Sequence, residues 1–417
     1  MMDRVDGVLG FCKARPLVMH IDLNSCFASV EQQARPNLRG KPIAVAAYVS
    51  DNGCILAPSI EAKRFGVKTG MRVREGKALC PELIVLPTDS DKYRFVHKEF
   101  HKILSAYTDE LWPKSIDEFV MNMEGTPASR NSLIETAREI KMRIRSEIGD
   151  WLKVSVGIGT NRFLAKTASG LNKPDGLDVI DDSNYWSIYE GLTLTDLNGI
   201  DKKNKARLNR VGVFTVWDFY NADLQTLKAA FCSVASYYWY MRLRGFEIDD
   251  FEMSRRSFGN SYSIPVKLQS NEEIAPVLTK LCTKASYRMR KAGYKAMGVH
   301  LAVYFKDGGW WHKGMKLKYE IFDFRDVYRE VYRLWKMNPQ RKPVRTLFVT
   351  CMELSADNGV TQLALFDKVL AKKRLMKSID ELTGKYGEYT ITPARMINTK
   401  QYVPDRIGFG NVREMEK

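Results

Sequence analysis

The sequence predicts a multidomain α/β protein, and three observations carry that expectation. Strands and helices alternate over the first half, helices alone follow from about residue 185, and a βαββαβ pattern fills 258–355. Alternation of strand and helix marks an α/β layer arrangement. A chain of 417 residues also exceeds one typical core and divides into modules.

In chain order, residues 17–23 (LVMHIDL) read as a buried strand with an acid near its end, and 24–35 carry helical spacing through Phe27, Val30 and Ala34. KPIAVAAYV is β-rich, and SIEAKRFGVKTGM reads as a helix after a glycine turn. Residues 91–108 place Tyr93, Val96, Phe100, Ile103, Leu104 and Tyr107 at helical spacing. SIDEFVMNM is a strand, 131–148 an amphipathic helix, and LKVSVGIG a third strand. Further on, Gly199-Ile200 with a basic stretch suggests a helix-hairpin-helix, whose backbone N–H groups can meet a phosphate near a helix start. A generic helical turn is the alternative there. A polar linker over 248–256 precedes the βαββαβ unit, and a short, basic, partly helical tail covers 356–417.

Composition narrows the function. The hydrophobic fraction of 45% with 27% charged residues belongs to a folded protein. No run is long enough to span a bilayer, and no signal peptide is evident, so a cytoplasmic protein with no membrane partner is expected. The seven cysteines are scattered and never form CxxC, which argues against disulfides or a zinc ribbon. His97 and His101 read as a solvated helix face. A net charge of +16, with aromatic residues among the basic clusters at 284–295, 313–318 and 341–345, favours a nucleic-acid partner with exposed bases. Ordinary sheet faces could carry the same pattern.

Three acids stand out. Asp22 ends an apolar strand, where a carboxylate is expensive unless it binds something. Asp117 and Glu118 follow another helix–strand junction. Acids gathered on strand ends supply hard oxygen ligands for a Mg²⁺ pair, which can clamp attacking and leaving oxygens in phosphoryl transfer. A strict strand would send Asp117 and Glu118 to opposite faces, so a shared site requires a bend or strand end. Solvated loop acids are the plain alternative, and SIDE recurs at 378–381, where Leu375, Ile379 and Leu382 make Asp380 and Glu381 a polar helix face.

The blocks HIDLNSCFASVEQ, GCILAPSIEAKRFGVKTGM, SIDEF and SVGIGTNRFLAKTASGLNKPDG, in that order, closely resemble the Y-family translesion DNA polymerases of the DinB/UmuC class. The resemblance runs in register from about residue 17 to 355. It implies a right hand: palm over 1–25 and 89–184, fingers over 26–88, helical thumb over 185–247, and an α+β little finger over 257–355. It further implies low-fidelity lesion bypass on primed DNA with dNTP. Asp22, Asp117 and Glu118 become the catalytic triad for two Mg²⁺ ions (with Mn²⁺ as a substitute), and Leu23 lends its carbonyl to the metal. Phe27 becomes the steric gate against the ribose 2′-OH, and Cys26, Lys63 and Lys173 contact the nucleotide. Lys166 is assigned to structure or DNA binding, and Cys54 and Leu56 to the wall of the nascent base pair.

The fingers block departs from the commoner family pattern Y-x-A-R, because Ile60 and Lys63 stand there. A point charge replaces a planar fork, which bears on nucleotide affinity. Gln362, Leu363, Leu365 and Phe366, in QLALF, resemble the bacterial sliding-clamp-binding peptide, a polar hook followed by apolar anchors. A monomer is expected. Two rivals remain at this stage: a catalytically silent DNA-binding scaffold recruited through the clamp, and a two-metal nuclease, which would leave the fingers block and Lys173 without a role.

Overall fold

In the computed structural model the strands of the first half are β1 (Val18–Leu23), β2 (Ile43–Ala46), β3 (Ile55–Pro58), β4 (Ile84–Pro87), β5 (Leu111–Pro113), β6 (Glu118–Asn122), β7 (Val154–Gly159) and β8 (Leu177–Ile180). The structure describes residues 9–130, 132–249, 255–357, 368–387 and 390–397. They fall into two compact units that divide between Phe251 and Glu252.

In the first unit a five-stranded sheet has the order β5-β6-β1-β7-β8. β1 is central and antiparallel to both neighbours, and only β7–β8 is parallel. Strand–helix alternation along the chain therefore does not yield a parallel sheet here. Side chains alternate across a strand, so Met19, Ile21, Phe119, Met121, Val156 and Ile158 share one face. They are all buried in a core with Tyr93, Phe100, Leu104 and Ile140, which come from the helices Ser90–Leu104 and Leu133–Arg143. Each such residue contributes about 1.5–3 kcal/mol by burial.

The opposite face carries His20, Asp22 and Glu118, and on β7 it is nearly bare: Ser155, Gly157 and Gly159. The helix Arg162–Leu171 lies directly on it. A Cβ built on Gly157 would sit 2.0 Å from the Ala165 carbonyl oxygen and 2.2 Å from the Ser169 nitrogen. Only glycine permits that approach.

β2, β3 and β4 form a separate three-stranded sheet, with β2–β4 parallel and β2–β3 antiparallel. The helix expected over SIEAKRFGVKTGM is shorter than its sequence suggested. It spans Ile60–Arg64, capped by Ser59, whose hydroxyl accepts from the Ala62 N–H. It stops because Gly66 takes φ +84° and turns the chain, so that Val67 is buried. A second helix, Val73–Leu79, follows. Further along, the helices Tyr185–Gly191, Lys202–Asn209, Val216–Asn221, Leu224–Phe231 and Ala235–Leu243 enclose their own core around Leu208, Phe219 and Trp239.

The second unit is βαββαβ, as its sequence predicts. β9 (Ser257–Leu268), β10 (Tyr294–Phe305), β11 (Trp310–Ile321) and β12 (Val344–Ala356) form an antiparallel sheet of order β11-β10-β12-β9. The helices Asn271–Lys291 and Phe324–Lys336 cover one face, burying Val299, Leu301, Val303, Leu281, Val331 and Trp335. The tail helix Lys368–Tyr386 belongs to this unit too, with Met376 inside its core. No helix among the described residues is long and apolar enough to cross a membrane.

Candidate active site

The register of the sheet assembles the acids. Asp22 and Glu118 are cross-strand partners of β1 and β6, so their side chains leave the same face side by side. β6 begins at Glu118, and Asp117 lies just outside it. That strand end frees Asp117 from the alternation that would have turned it away. Its carbonyl accepts from the Leu23 N–H at 2.9 Å, which ties the junction to the end of β1. Burial, then the neighbouring Asp22 and Glu118, raise the Asp117 carboxyl to about 6, against the pull of the Ser115 hydroxyl that donates to it at 2.5 Å.

Two lysines take up the other two carboxylates. Lys173 Nζ lies 2.8 Å from Asp22 Oδ1, and Lys166 Nζ donates to Glu118 Oε2 at 2.7 Å. Lys166 reaches Glu118 because Gly157 and Gly159 let its helix sit against the sheet. Lys166 is thus an ion-pair partner of a site carboxylate, a contact that no motif spacing announced and one compatible with a structural role. His20 is a residue that the sequence reading missed. It is buried beside Glu118 (3.9 Å) with Nδ1 at hydrogen-bond distance, 3.1 Å, from Ser169 Oγ. Burial and then Lys166 depress it to about 3, so it is neutral and its contact with Glu118 is not an ion pair. Its one sequence signal was period-2 spacing from Asp22.

Among the described residues, no three His, Cys, Asp or Glu side chains are drawn together as a finished metal cage. Lys173 and Lys166 are the cations that face Asp22 and Glu118. The donor set is nevertheless all carboxylate oxygen, suited to a hard divalent cation.

The predicted nucleotide contacts surround these acids unevenly. Cys26 is buried at the start of the helix Cys26–Ala34, where burial and the fields of Asp117 and Asp22 push its thiol upward. Phe27 is fully buried and stacks on Tyr93 at 4.2 Å between centroids. Tyr93 in turn donates to the buried Glu31 at 3.0 Å, which also pairs with Lys92 at 2.9 Å. Lys63 feels the site directly: desolvation and Lys173 lower its pKa, while Asp22 and Asp117 hold it up. Cys54 is exposed and Leu56 half-buried.

An open cleft of ≈ 560 Å³ joins Asp22, Glu118, Lys166 and Lys173 to the hairpin Asp196–Asn204. In that hairpin Gly199 adopts φ +102° and Asp201 caps the helix Lys202–Asn209, accepting from the Asn204 N–H at 2.8 Å.

Away from the site, two expectations change. His97 is not solvated: it is buried, its Nδ1 lying 2.9 Å from the Ile116 carbonyl. In the second SIDE, Asp380 is more than a polar face, since both its oxygens accept from Arg290, at 2.6 and 2.7 Å. The clamp-like residues Gln362, Leu363, Leu365 and Phe366 lie outside the described residues.

Comparison with known proteins agrees with this arrangement. Residues 21–170 match the model of the impB/mucB/samB family, and 255–365 that of the impB/mucB/samB family C-terminal domain. DNA polymerase IV of Pelotomaculum thermopropionicum is 32% identical over 397 residues, which cover 94% of this chain and 98% of that protein. DNA polymerase IV 1 of Bacillus subtilis is 33% identical over 379 residues, covering 89% and 91%. Among solved structures, a Y-family DNA polymerase chimera superposes with a TM-score of 0.71 at 24% identity, covering 81% of this chain and 99% of that one. DinB from Sulfolobus solfataricus gives 0.54 at 24% identity, with 80% and 98% covered. The chain therefore belongs to the impB/mucB/samB family and is a Y-family, DinB-type translesion DNA polymerase, a DNA-directed nucleotidyltransferase that needs a divalent metal.

Proposed function

We propose that the polymerase joins a templated dNTP to a primer 3′-OH at the carboxylates of Asp22, Asp117 and Glu118, which hold two Mg²⁺ ions together with the Leu23 carbonyl, Mn²⁺ being able to replace them. The observation that carries this reading is the cross-strand pairing of Asp22 with Glu118 beside a desolvated Asp117. A carboxylate whose charge is disfavoured by burial and by two like neighbours is one that a cation relieves. Bound there, the ions neutralise phosphate charge and orient the oxygens of the displacement.

The chain's own side chains do the rest. The primer oxygen bonds to the α-phosphorus and pyrophosphate leaves. Lys173 and Lys63 are the cations that would meet the triphosphate, and Glu118, now paired with Lys166, would be among the residues that hold a metal. Cys26 lies at the rim of the nucleotide site. Phe27, held by Tyr93, forms the wall that a ribose 2′-OH meets. The exposed cations Lys202, Lys203 and Arg207 beside the Gly199 hairpin hold a DNA phosphate backbone. In the second unit, the open sheet face with Trp310, Tyr304, Phe348 and Lys316 does likewise, by stacking and charge. Gln362–Phe366 binds a bacterial-type sliding clamp, and the protein works as a monomer in the cytoplasm.

The test is extension of a labelled primed template with Mg²⁺ and dNTPs. The parent is expected to extend, Asp117→Ala is expected not to, and Phe27→Ala is expected to admit rNTPs. Equal extension by parent and Asp117→Ala would sink the metal assignment. Added clamp raises processivity only while Gln362–Phe366 is intact.

A further inference from the structure

The sheet of the second unit brings together two histidines that the polymerase chemistry does not use. His300 on β10 faces Gly314 on β11, and His312 on β11 faces Ala302 on β10. The two imidazoles are thus diagonal neighbours on one face, with small residues at the other two corners. The rings meet with His300 Nε2 2.9 Å from His312 Nδ1, their planes inclined by 47°. His312 is exposed and His300 half-exposed, so solvent reaches the pair.

That separation serves two purposes. One ring can donate an N–H to the other. It is also the spacing of two nitrogens bound cis to one ion, since metal–nitrogen bonds of about 2.0–2.1 Å place such nitrogens roughly 2.9–3.3 Å apart. Gly314 keeps the approach open: a Cβ there would lie 3.3 Å from His300 Cδ2 and 3.1 Å from the Met352 methyl. The Trp310 indole stacks on His312, with centroids 5.0 Å apart, and limits the ring's rotation.

We propose that His300 and His312 form a second metal site, separate from the catalytic carboxylates. It takes a late first-row divalent ion through His300 Nε2 and His312 Nδ1, with water in the remaining positions. Imidazole donors favour Cu²⁺ over Ni²⁺ and Zn²⁺, following the usual order of affinity. Mg²⁺, which seeks oxygen, is not a ligand for it. The open coordination positions face outward from the sheet, where phosphate or base nitrogens can enter.

The test uses the full chain without an affinity tag, stripped of metal and titrated with Cu²⁺ alone. Tryptophan fluorescence and Cu²⁺ electron paramagnetic resonance are read together. Saturable binding of one equivalent is expected, with nitrogen ligation and partial quenching. Removing a ligand should cost more than the 10–100-fold typical of losing a supporting partner, so half-saturation should rise at least about tenfold in His300→Gln and in His312→Gln. His101→Gln should match the parent, and Trp310→Phe should keep the resonance signal while losing quenching. Parent-like Cu²⁺ binding by both His300→Gln and His312→Gln, each with unchanged melting, would overturn the proposal. So would the absence of saturable binding in the parent, which would leave the pair as a hydrogen bond alone.

Discussion

The tetrapeptide Ser-Ile-Asp-Glu occurs at 115–118 and again at 378–381, and the two copies meet opposite fates. At the first, the chain passes from a loop into β6, and three carboxylates are brought near one another with Asp117 desolvated. At the second, the same letters sit inside the helix Lys368–Tyr386, and Asp380 is matched by the guanidinium of Arg290. In the first copy Asp117 is held beside two like charges although Lys166 pairs with Glu118; in the second the aspartate is matched by an opposite charge. What distinguishes them is the backbone they are built on and what that backbone faces.

The largest separation between the copies is catalytic. Asp117→Ala is expected to lower primer extension at least about 1000-fold, roughly 4 kcal/mol of transition-state stabilisation, with melting unchanged or raised. Asp380→Ala should leave extension per folded molecule unaltered.

The seats of the two copies differ as well. Gly157→Ala drives a methyl into the Ala165 carbonyl beneath the helix that carries Lys166, and should cost about 3 kcal/mol of stability by denaturant melting. Gly384, in the helix of the second copy, has nothing within 4 Å of a Cβ. Gly384→Ala should therefore stabilise by about 0.5–1 kcal/mol, since alanine is the better helix former.

A third comparison concerns the ion pair. Asp380→Ala leaves Arg290 mostly buried with the Phe322 carbonyl as its remaining acceptor among the described residues, and should destabilise the second unit by about 2 kcal/mol. The matching change in the first copy, Ser115→Ala, removes a donor to the charged Asp117. Its loss disfavours the carboxylate, so half-saturating Mg²⁺ for extension should rise about tenfold, near 1.4 kcal/mol. A parent-like Mg²⁺ dependence would show that Ser115 does not tune the site.

Much of this was legible in advance because it is local. The apolar spacing of Tyr93, Val96, Phe100 and Leu104 sets a helix wherever it packs, and alternation in LVMHIDL sets a strand that puts Asp22 on one face and Met19 and Ile21 on the other. The βαββαβ order of the second unit follows from the same two periodicities. Motif order then carried the acids and the polymerase reading. The early end of the helix at Ile60–Arg64 was written in Gly66, whose positive φ turns the chain.

The rest required the fold. The pairing of Asp22 with Glu118 is a matter of register between segments nearly a hundred residues apart, and a slip of one residue would turn one of them away. Lys166 meets Glu118 only because two glycines on a neighbouring strand let a helix approach. His97 is buried by the sheet it lies against, His300 finds His312 across a ladder, and Arg290 finds Asp380 across 90 residues. Propensity and periodicity act over a turn or two of chain. Which charges face each other is decided by packing between distant segments, and that information exists only once the chain has folded.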